Sequence, residues 1–343
     1  MHVAEARDLA KHWVRESPAR AHGFRGAYTA GSTNWLSSES DLPPTSDLDI
    51  VVVVDDSRFA SDRRKFMWQD VLLDVSYLPS HRIQSPASIL GDYRIAASFS
   101  SATILQDPSG HLAALLTDVC RGYAKREWIR RRCADARENV LHHLYAMQES
   151  ASLHDQVMAW LFGAGVTTHV LLTAGLRNPT IRTRYLAVRQ LLIDYGSEPF
   201  YEKLLEILGV ANWDRNQIGR HLATLTDIFD RAIVSRRSPC SFAADMSTSG
   251  RAVAIDGSRE LIESGFHREA IFWIAVSHSR CQKVISDHAP SELTQAFRDS
   301  YLGLVDDLRL RSAAQRRQRR AEVESILPIV QDLAEVIAAN VAE

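Results

Sequence analysis

Ser46-Asp47-Leu48-Asp49-Ile50-Val51-Val52-Val53-Val54 is the stretch that decides how this chain folds. Its second half is continuous and β-branched, as expected of a strand buried on both faces. Two carboxylates open it. Side chains two apart on a strand share a face, so Asp47 and Asp49 are expected to point the same way. Like charges on one face repel, and burying them costs free energy unless a cation lies between them. A hard divalent ion such as Mg²⁺ takes oxygen ligands and keeps room for waters and phosphate oxygens.

Moving upstream, Gly26-Ala27-Tyr28-Thr29-Ala30 reads as a short strand, and Gly31-Ser32 breaks it. Glycine lets the backbone approach a phosphate closely, and serine adds a hydroxyl donor. A helix beginning within residues 33–37 would add free N–H groups. The polar stretch from Thr33 to Ser46 ends in Pro43-Pro44-Thr45-Ser46 and is read as loop. Residues 4–16 place Ala6, Leu9, Ala10, Trp13 and Val14 at helical spacing, and Pro18 stops that helix.

Moving downstream, Asp55-Asp56-Ser57 ends the valine strand, and Asp55 and Asp56 are read as its cap. Residues 71–78 form a second strand, closed by Pro79. Residues 101–105 form a third, ended by Asp107-Pro108-Ser109-Gly110. Within residues 71–77, Leu72, Asp74 and Ser76 share one face. An Asp in an apolar strand is costly without a partner. If the two strands are neighbours, Asp74 reaches the same metals as Asp47 and Asp49. Three carboxylates then hold two ions, one activating an attacking hydroxyl and the other carrying a triphosphate as pyrophosphate leaves. Lys65, with Arg63 and Arg64, lies between the acidic strands. It is a candidate contact for the triphosphate, although a solvated basic loop is the plainer expectation.

Beyond about residue 111 the segments 111–150, 153–175, 180–195, 199–208, 215–235, 258–287, 290–310 and 312–340 show helical periodicity or composition. The expected fold class is therefore α+β: an N-terminal mixed-sheet domain over residues 1–118, then an all-helical domain over residues 119–343. The chain has 343 residues, 45% hydrophobic and 24% charged, which suits two globular cores. Its net charge of −2 lacks the basic excess of a dedicated duplex-DNA binder. Cys120, Cys133, Cys240 and Cys281 form no CxxC pair and are read as reduced thiols. The N-terminus has no apolar signal region, and the apolar run Ile50 to Val54 is too short to span a bilayer. A soluble, cytoplasmic protein without membrane contact is expected.

Taken together, Gly31-Ser32, Asp47-Leu48-Asp49 and Asp74 resemble the motif set of the DNA polymerase β-like nucleotidyltransferase superfamily, over about residues 24–110. A small N-terminal domain followed by a helical one looks like the aminoglycoside (streptomycin or kanamycin type) and lincosamide nucleotidyltransferases. The resemblance implies that Gly31 and Ser32 hold nucleotide phosphates and that Asp47, Asp49 and Asp74 bind two Mg²⁺ ions. Asp74 alternatively helps to deprotonate the acceptor hydroxyl. It implies transfer of a nucleoside monophosphate, AMP from ATP or the counterpart from another NTP, to a hydroxyl of a small polar, aminoglycoside-like acceptor. The gap from Ser32 to Asp47, which contains Pro43-Pro44, is longer than in compact members. Aminoglycoside enzymes often use a glutamate outside the Asp-x-Asp strand as base. Glu269, in Phe266-His267-Arg268-Glu269-Ala270-Ile271-Phe272-Trp273, is the candidate by local chemistry, against the plainer reading of a helix-start charge cluster.

Other features have bland readings beside functional ones. His142 and His143 lack acidic or thiol partners at ligand spacing and are not read as metal ligands. Arg177, Arg182 and Arg184 surround a helix start at Pro179, suited either to phosphate or to water. Residues 245–260, with Asp245, Asp256, Gly257 and Arg259, read as an irregular polar segment and a second choice for acceptor recognition. Arg316-Arg317 and Arg319-Arg320 read as a solvated helix face. Two competing functions remain: a nucleotide-binding regulatory or antitoxin-like module, and a transferase that modifies a protein or RNA end with the basic helix as docking surface. The expected partners are a nucleotide and a small-molecule acceptor rather than nucleic acid, and the oligomeric state is open.

Overall fold

The valine-rich segment is the central strand of a five-stranded mixed sheet. A computed structural model describes all residues except 21, 44, 56–62, 239–241 and 342–343. Pro44, Asp56 and Cys240, which carried loop, cap and thiol expectations, lie outside the described residues. The strands are β1 (Phe24–Ala30), β2 (Leu48–Val54), β3 (Arg63–Trp68), β4 (Val71–Pro79) and β5 (Ile104–Gln106), in the order β3-β4-β2-β1-β5. β2 pairs antiparallel with β1 and parallel with β4. It is flanked on both sides, so its backbone groups are used in two ladders and its side chains are covered on two faces.

Alternation along the strands sorts residues between two cores. Leu48, Ile50, Val52 and Val54 of β2 join Val71, Leu73 and Val75 of β4 on one face. There they meet Ala6, Ala10, Trp13 and Val14 of α1 (Val3–Glu16), the apolar stripe that the helical spacing predicts. Tyr28 and Val53 face the other way, against Ile89, Leu90, Phe99, Leu112, Leu115 and Val119. Those residues belong to α2 (Pro86–Gly91), α3 (Tyr93–Ser100) and α4 (His111–Gly122). Asp92 caps α3 by accepting from the N–H groups of Arg94 and Ile95.

Residues 63–65 correct the expectation of a solvated basic loop. They are the first half of β3, antiparallel to β4. Arg63, Lys65 and Met67 take one face, while Phe66 and Trp68 take the other and pack on the α1 core, Phe66 lying 5.5 Å from Trp13 between ring centroids. The charged Arg-Arg-Lys run hides this alternation in the sequence. The third strand, expected at 101–105, is shorter and later, at Ile104–Gln106.

The chain divides into two units. The first comprises residues 1–132, 240–253 and 341–343, and the second residues 133–239 and 254–340. α5 (Arg126–Tyr145) leads from one to the other. In the second unit follow α6 (Leu153–Ala174), α7 (Arg184–Asp194), α8 (Pro199–Leu208) and α9 (Arg215–Ser235). The chain then returns to the first unit, where α10 (Thr248–Arg251) packs on β3. A π-helical turn (Ala252–Asp256) precedes α11 (Gly257–Glu263), α12 (His267–His288), α13 (Ser291–Asp307) and α14 (Ala313–Val341). The segment 245–260 is thus largely helical rather than irregular. The architecture is α+β, a mixed sheet followed by helices, as the periodicity indicates.

α6 and α12 form the centre of the second unit. Nearly every residue of α6 is covered, which explains why it is apolar all round rather than along a stripe. By length and composition α6 is long and apolar enough to cross a membrane, and 89% of that stretch is buried inside the fold.

Candidate active site

Strand register brings the acidic residues together. The parallel ladder sets Asp49 of β2 opposite Asp74 of β4, and the antiparallel ladder sets Lys65 of β3 opposite the same Asp74. Ala30 of β1 lies opposite Asp49 on the other side. Ala30, Asp49, Asp74 and Lys65 therefore form a row across four strands. Asp47 stands one residue before β2, and its carboxylate reaches Lys65.

Gly31 closes the row after β1, and two constraints make it glycine. Its φ of +70° is left-handed, and a Cβ there would lie 1.7 Å from Oδ2 of Asp49. The backbone of Gly31 and the carboxylate of Asp49 thus occupy space that any other residue would need. Ser32 is exposed and opens a short 3₁₀ turn, Ser32–Trp35, in place of the α-helix considered for residues 33–37. Asn34 ties this turn to the sheet by donating to the carbonyl of Thr29 at 2.9 Å.

Two cations sit among the carboxylates. Lys65, whose side chain is only 3% exposed, lies 2.5 Å from Asp47, 3.0 Å from Asp74 and 3.5 Å from Asp245. Arg63 donates to both oxygens of Asp74, from Nε at 2.8 Å and from its NH2 nitrogen at 2.5 Å. Its other terminal nitrogen is 3.0 Å from Asp245. Burial opposes the charge on both cations. The carboxylates outweigh it, chiefly Asp245 and Asp74 for Arg63 and Asp47 and Asp74 for Lys65, so both stay charged with raised proton affinity.

Asp49 behaves differently. Burial, then the charges of Asp47 and Asp74, push its carboxyl well above the ordinary carboxylate range, and Arg63 and Lys65 pull it down less strongly. Four carboxylates against two cations leave the cluster short of positive charge, and a proton on Asp49 is one way to supply it. Hard oxygen donors in excess of their counter-ions are the chemistry that suits Mg²⁺, so the donor set fits the metal. The carboxylates as they stand are directed at Lys65 and Arg63. Among the described residues no three His, Cys, Asp or Glu side chains are grouped as metal ligands.

Asp245 is the member of this cluster that sequence reasoning did not assign to it. It stands 182 residues from Arg63 along the chain, and no local pattern relates the two. The only signal was its place in a polar segment between helices.

Glu269, proposed as base, belongs to the second unit. It is buried in the first turn of α12 and accepts a hydrogen bond from Tyr201 of α8 at 2.6 Å. The adjoining Arg268 pairs with Glu202 at 2.8 Å. Several of the other basic residues singled out in the sequence are engaged within the second unit. Arg177 pairs with Asp194, and buried Arg184 stacks 4.0 Å over the ring of Phe272. In the basic run, Arg317 pairs with Glu149 and Arg320 with Glu324, while Arg319 is buried over Trp160. The run is therefore not a uniformly solvated face. His143 stacks on Phe162.

No family model matches the chain. No curated protein matches it either. Among solved structures it is similar to the crystal structure of a nucleotidyltransferase-like protein from Exiguobacterium sibiricum 255-15, with 9% identity and a TM-score of 0.31. That similarity covers 88% of this chain and 89% of the other.

Proposed function

We propose that this chain is a Mg²⁺-dependent nucleotidyltransferase whose donor site is the carboxylate row of Asp47, Asp49 and Asp74. The observation that carries the proposal is the pairing of Asp49 with Asp74 across parallel strands, with Gly31 packed against the Asp49 carboxylate. Repulsion between such groups is tolerated where a bound cation offsets it. Bound by these aspartates, Mg²⁺ would neutralise the triphosphate and help to ionise the attacking hydroxyl. Gly31 makes room for the Asp49 carboxylate, and Ser32 offers an exposed hydroxyl beside it. Lys65 and Arg63 supply the positive charge suited to phosphate oxygens.

In the proposed reaction an acceptor hydroxyl oxygen bonds to the α-phosphorus of ATP, or of another NTP. The bond from that phosphorus to the bridging oxygen breaks, and pyrophosphate leaves with the charge. The hydroxyl proton passes to a carboxylate of the row, for which Asp74 is the candidate. The acceptor is proposed to be a small polar molecule of the aminoglycoside type, in the cytoplasm.

Asp49→Asn keeps the side-chain shape and removes the charge. It is expected to lower Mg²⁺-dependent pyrophosphate release, measured against a panel of hydroxyl acceptors, by two orders of magnitude or more, about 3 kcal/mol in barrier. Unchanged turnover in that variant would sink the mechanism. A second reading, a nucleotide-binding module that transfers nothing, is favoured by one observation: Lys65 and Arg63 are seated directly on the carboxylates. Calorimetric binding of ATP and Mg²⁺ without pyrophosphate release from any acceptor would favour it.

A further inference from the structure

We propose that Asp245 is a positioning residue: the counter-ion that keeps Arg63 and Lys65 when a divalent cation takes over Asp47, Asp49 and Asp74. The inference rests on the reading of that row as a metal–nucleotide site. Asp245 offers one oxygen to each cation, Oδ2 to Arg63 at 3.0 Å and Oδ1 to Lys65 at 3.5 Å. Both cations are also committed to the row. Oδ2 of Asp74 meets Arg63 at 2.5 Å and Lys65 at 3.0 Å, and Oδ2 of Asp47 meets Lys65 at 2.5 Å. These are oxygens a metal would need, so metal and cations compete for them.

The displaced cations need another partner nearby. Lys65 is almost wholly covered, and a buried ammonium without an anion is strongly disfavoured. Asp245 already touches both side chains, so a small shift towards it keeps each charge paired while the oxygens of Asp47 and Asp74 are released.

The segment holding Asp245 is built for close placement. Ser247 donates to the carbonyl of Ala244 at 2.7 Å and accepts from the N–H of Gly250 at 3.0 Å. Gly250 lies so close that a Cβ on it would stand 2.2 Å from the carbonyl oxygen of Asp245. α10 packs on β3, the strand that carries both cations. Asp245 is thus a buried carboxylate on a constrained turn, delivered to β3 from far along the chain.

The sign of the effect follows from competition. Without the charge of Asp245, Arg63 and Lys65 bind Asp74 and Asp47 more firmly and have nowhere to go, so divalent cations bind more weakly. Without Lys65, one competitor is gone and they bind more tightly. The test is Mn²⁺ binding to the full chain by calorimetry, in the parent protein, Asp245→Asn, Asp245→Glu, Lys65→Met and the Asn/Met double variant, with melting curves recorded for each. Asp245→Asn is expected to weaken Mn²⁺ about tenfold, a coupling usual for groups in one ion-pair network. Asp245→Glu should recover part of that loss. Lys65→Met should tighten binding and shrink the effect of Asp245→Asn in the double variant. Unchanged binding in Asp245→Asn, or the same loss with and without Lys65, would overturn the role of Asp245 alone. If Asp245→Asn does not fold, weaker binding in Lys65→Met overturns the competition instead. Absence of Mn²⁺ binding to the parent protein would overturn the metal site, and this inference with it.

Discussion

At Gly31 a single absent methyl group makes room for the Asp49 carboxylate. Gly31→Ala would place Cβ on Oδ2 of Asp49 and strain a left-handed backbone. The expected cost is about 1–3 kcal/mol of stability, read by urea unfolding, together with loss of Mg²⁺-dependent nucleotide binding, read by calorimetry. A variant as stable and as competent as the parent would show that the contact is not required. His278 is another residue whose surroundings set its chemistry. It is fully buried with neither ring nitrogen hydrogen-bonded, and burial, aided by the charge of His221, lowers its pKa to about 3. The unfolded chain takes up a proton near the ordinary histidine value of about 6.5, whereas the folded chain does so only near pH 3. Its contribution to stability is therefore complete above about pH 6.5 and falls as the pH drops through that window, by up to about 1.4 kcal/mol per pH unit. His221 on α9, also held low by burial, acts in the same direction, and Tyr301 on α13 faces His278 without titrating there. Thermal melts between pH 7 and 4 should show a shallower acid loss in His278→Leu. An identical slope would mean that His278 is not buried as the neutral form.

The elements follow from their patterns where those patterns are long. The α1 stripe, the valine run of β2 and the apolar length of α6 each predict what forms. β3 is the exception. Three charged residues in six mask a period of two, and only its pairing with β4 shows that Arg63 and Lys65 share a face. A different local rule is broken in α14, which contains Pro328. Proline has no N–H to donate to the preceding turn and crowds it, at a cost of about 3 kcal/mol in an ordinary helix interior. Pro328 is exposed, so Pro328→Ala removes no core packing. It is expected to raise the unfolding free energy by about 1–3 kcal/mol in a urea titration. A loss would mean that α14 needs the interruption.

Over the whole molecule, the first unit is assembled from separated pieces of chain. Residues 240–253 return to it after α9, and α10 then packs on β3, an edge strand of the sheet. Edge strands present unpaired backbone groups that recruit other strands. A fragment of residues 1–132 keeps every strand but loses this segment and Asp245. It is expected to self-associate under conditions where the full chain does not, by light scattering. A fragment that matches the full chain in association state and retains its sheet signal by circular dichroism would show that β3 needs no cover.

The sequence alone determined the α+β order of elements, the central place of residues 48–54, and the common face of Leu72, Asp74 and Ser76 within their strand. These follow from side-chain periodicity, which is local and so is written in adjacent residues. Tertiary structure decided that β2 and β4 lie parallel and in the register that sets Asp49 opposite Asp74. It also decided that Lys65 and Arg63 are counter-ions in a strand rather than solvated loop residues, and that Asp245 joins them. Ion pairing between residues 182 apart depends on where the chain returns, and no spacing in the sequence records that path. Asp47 and Asp49 mark the candidate site in the sequence, but the cations that partly offset them became visible only in the folded chain.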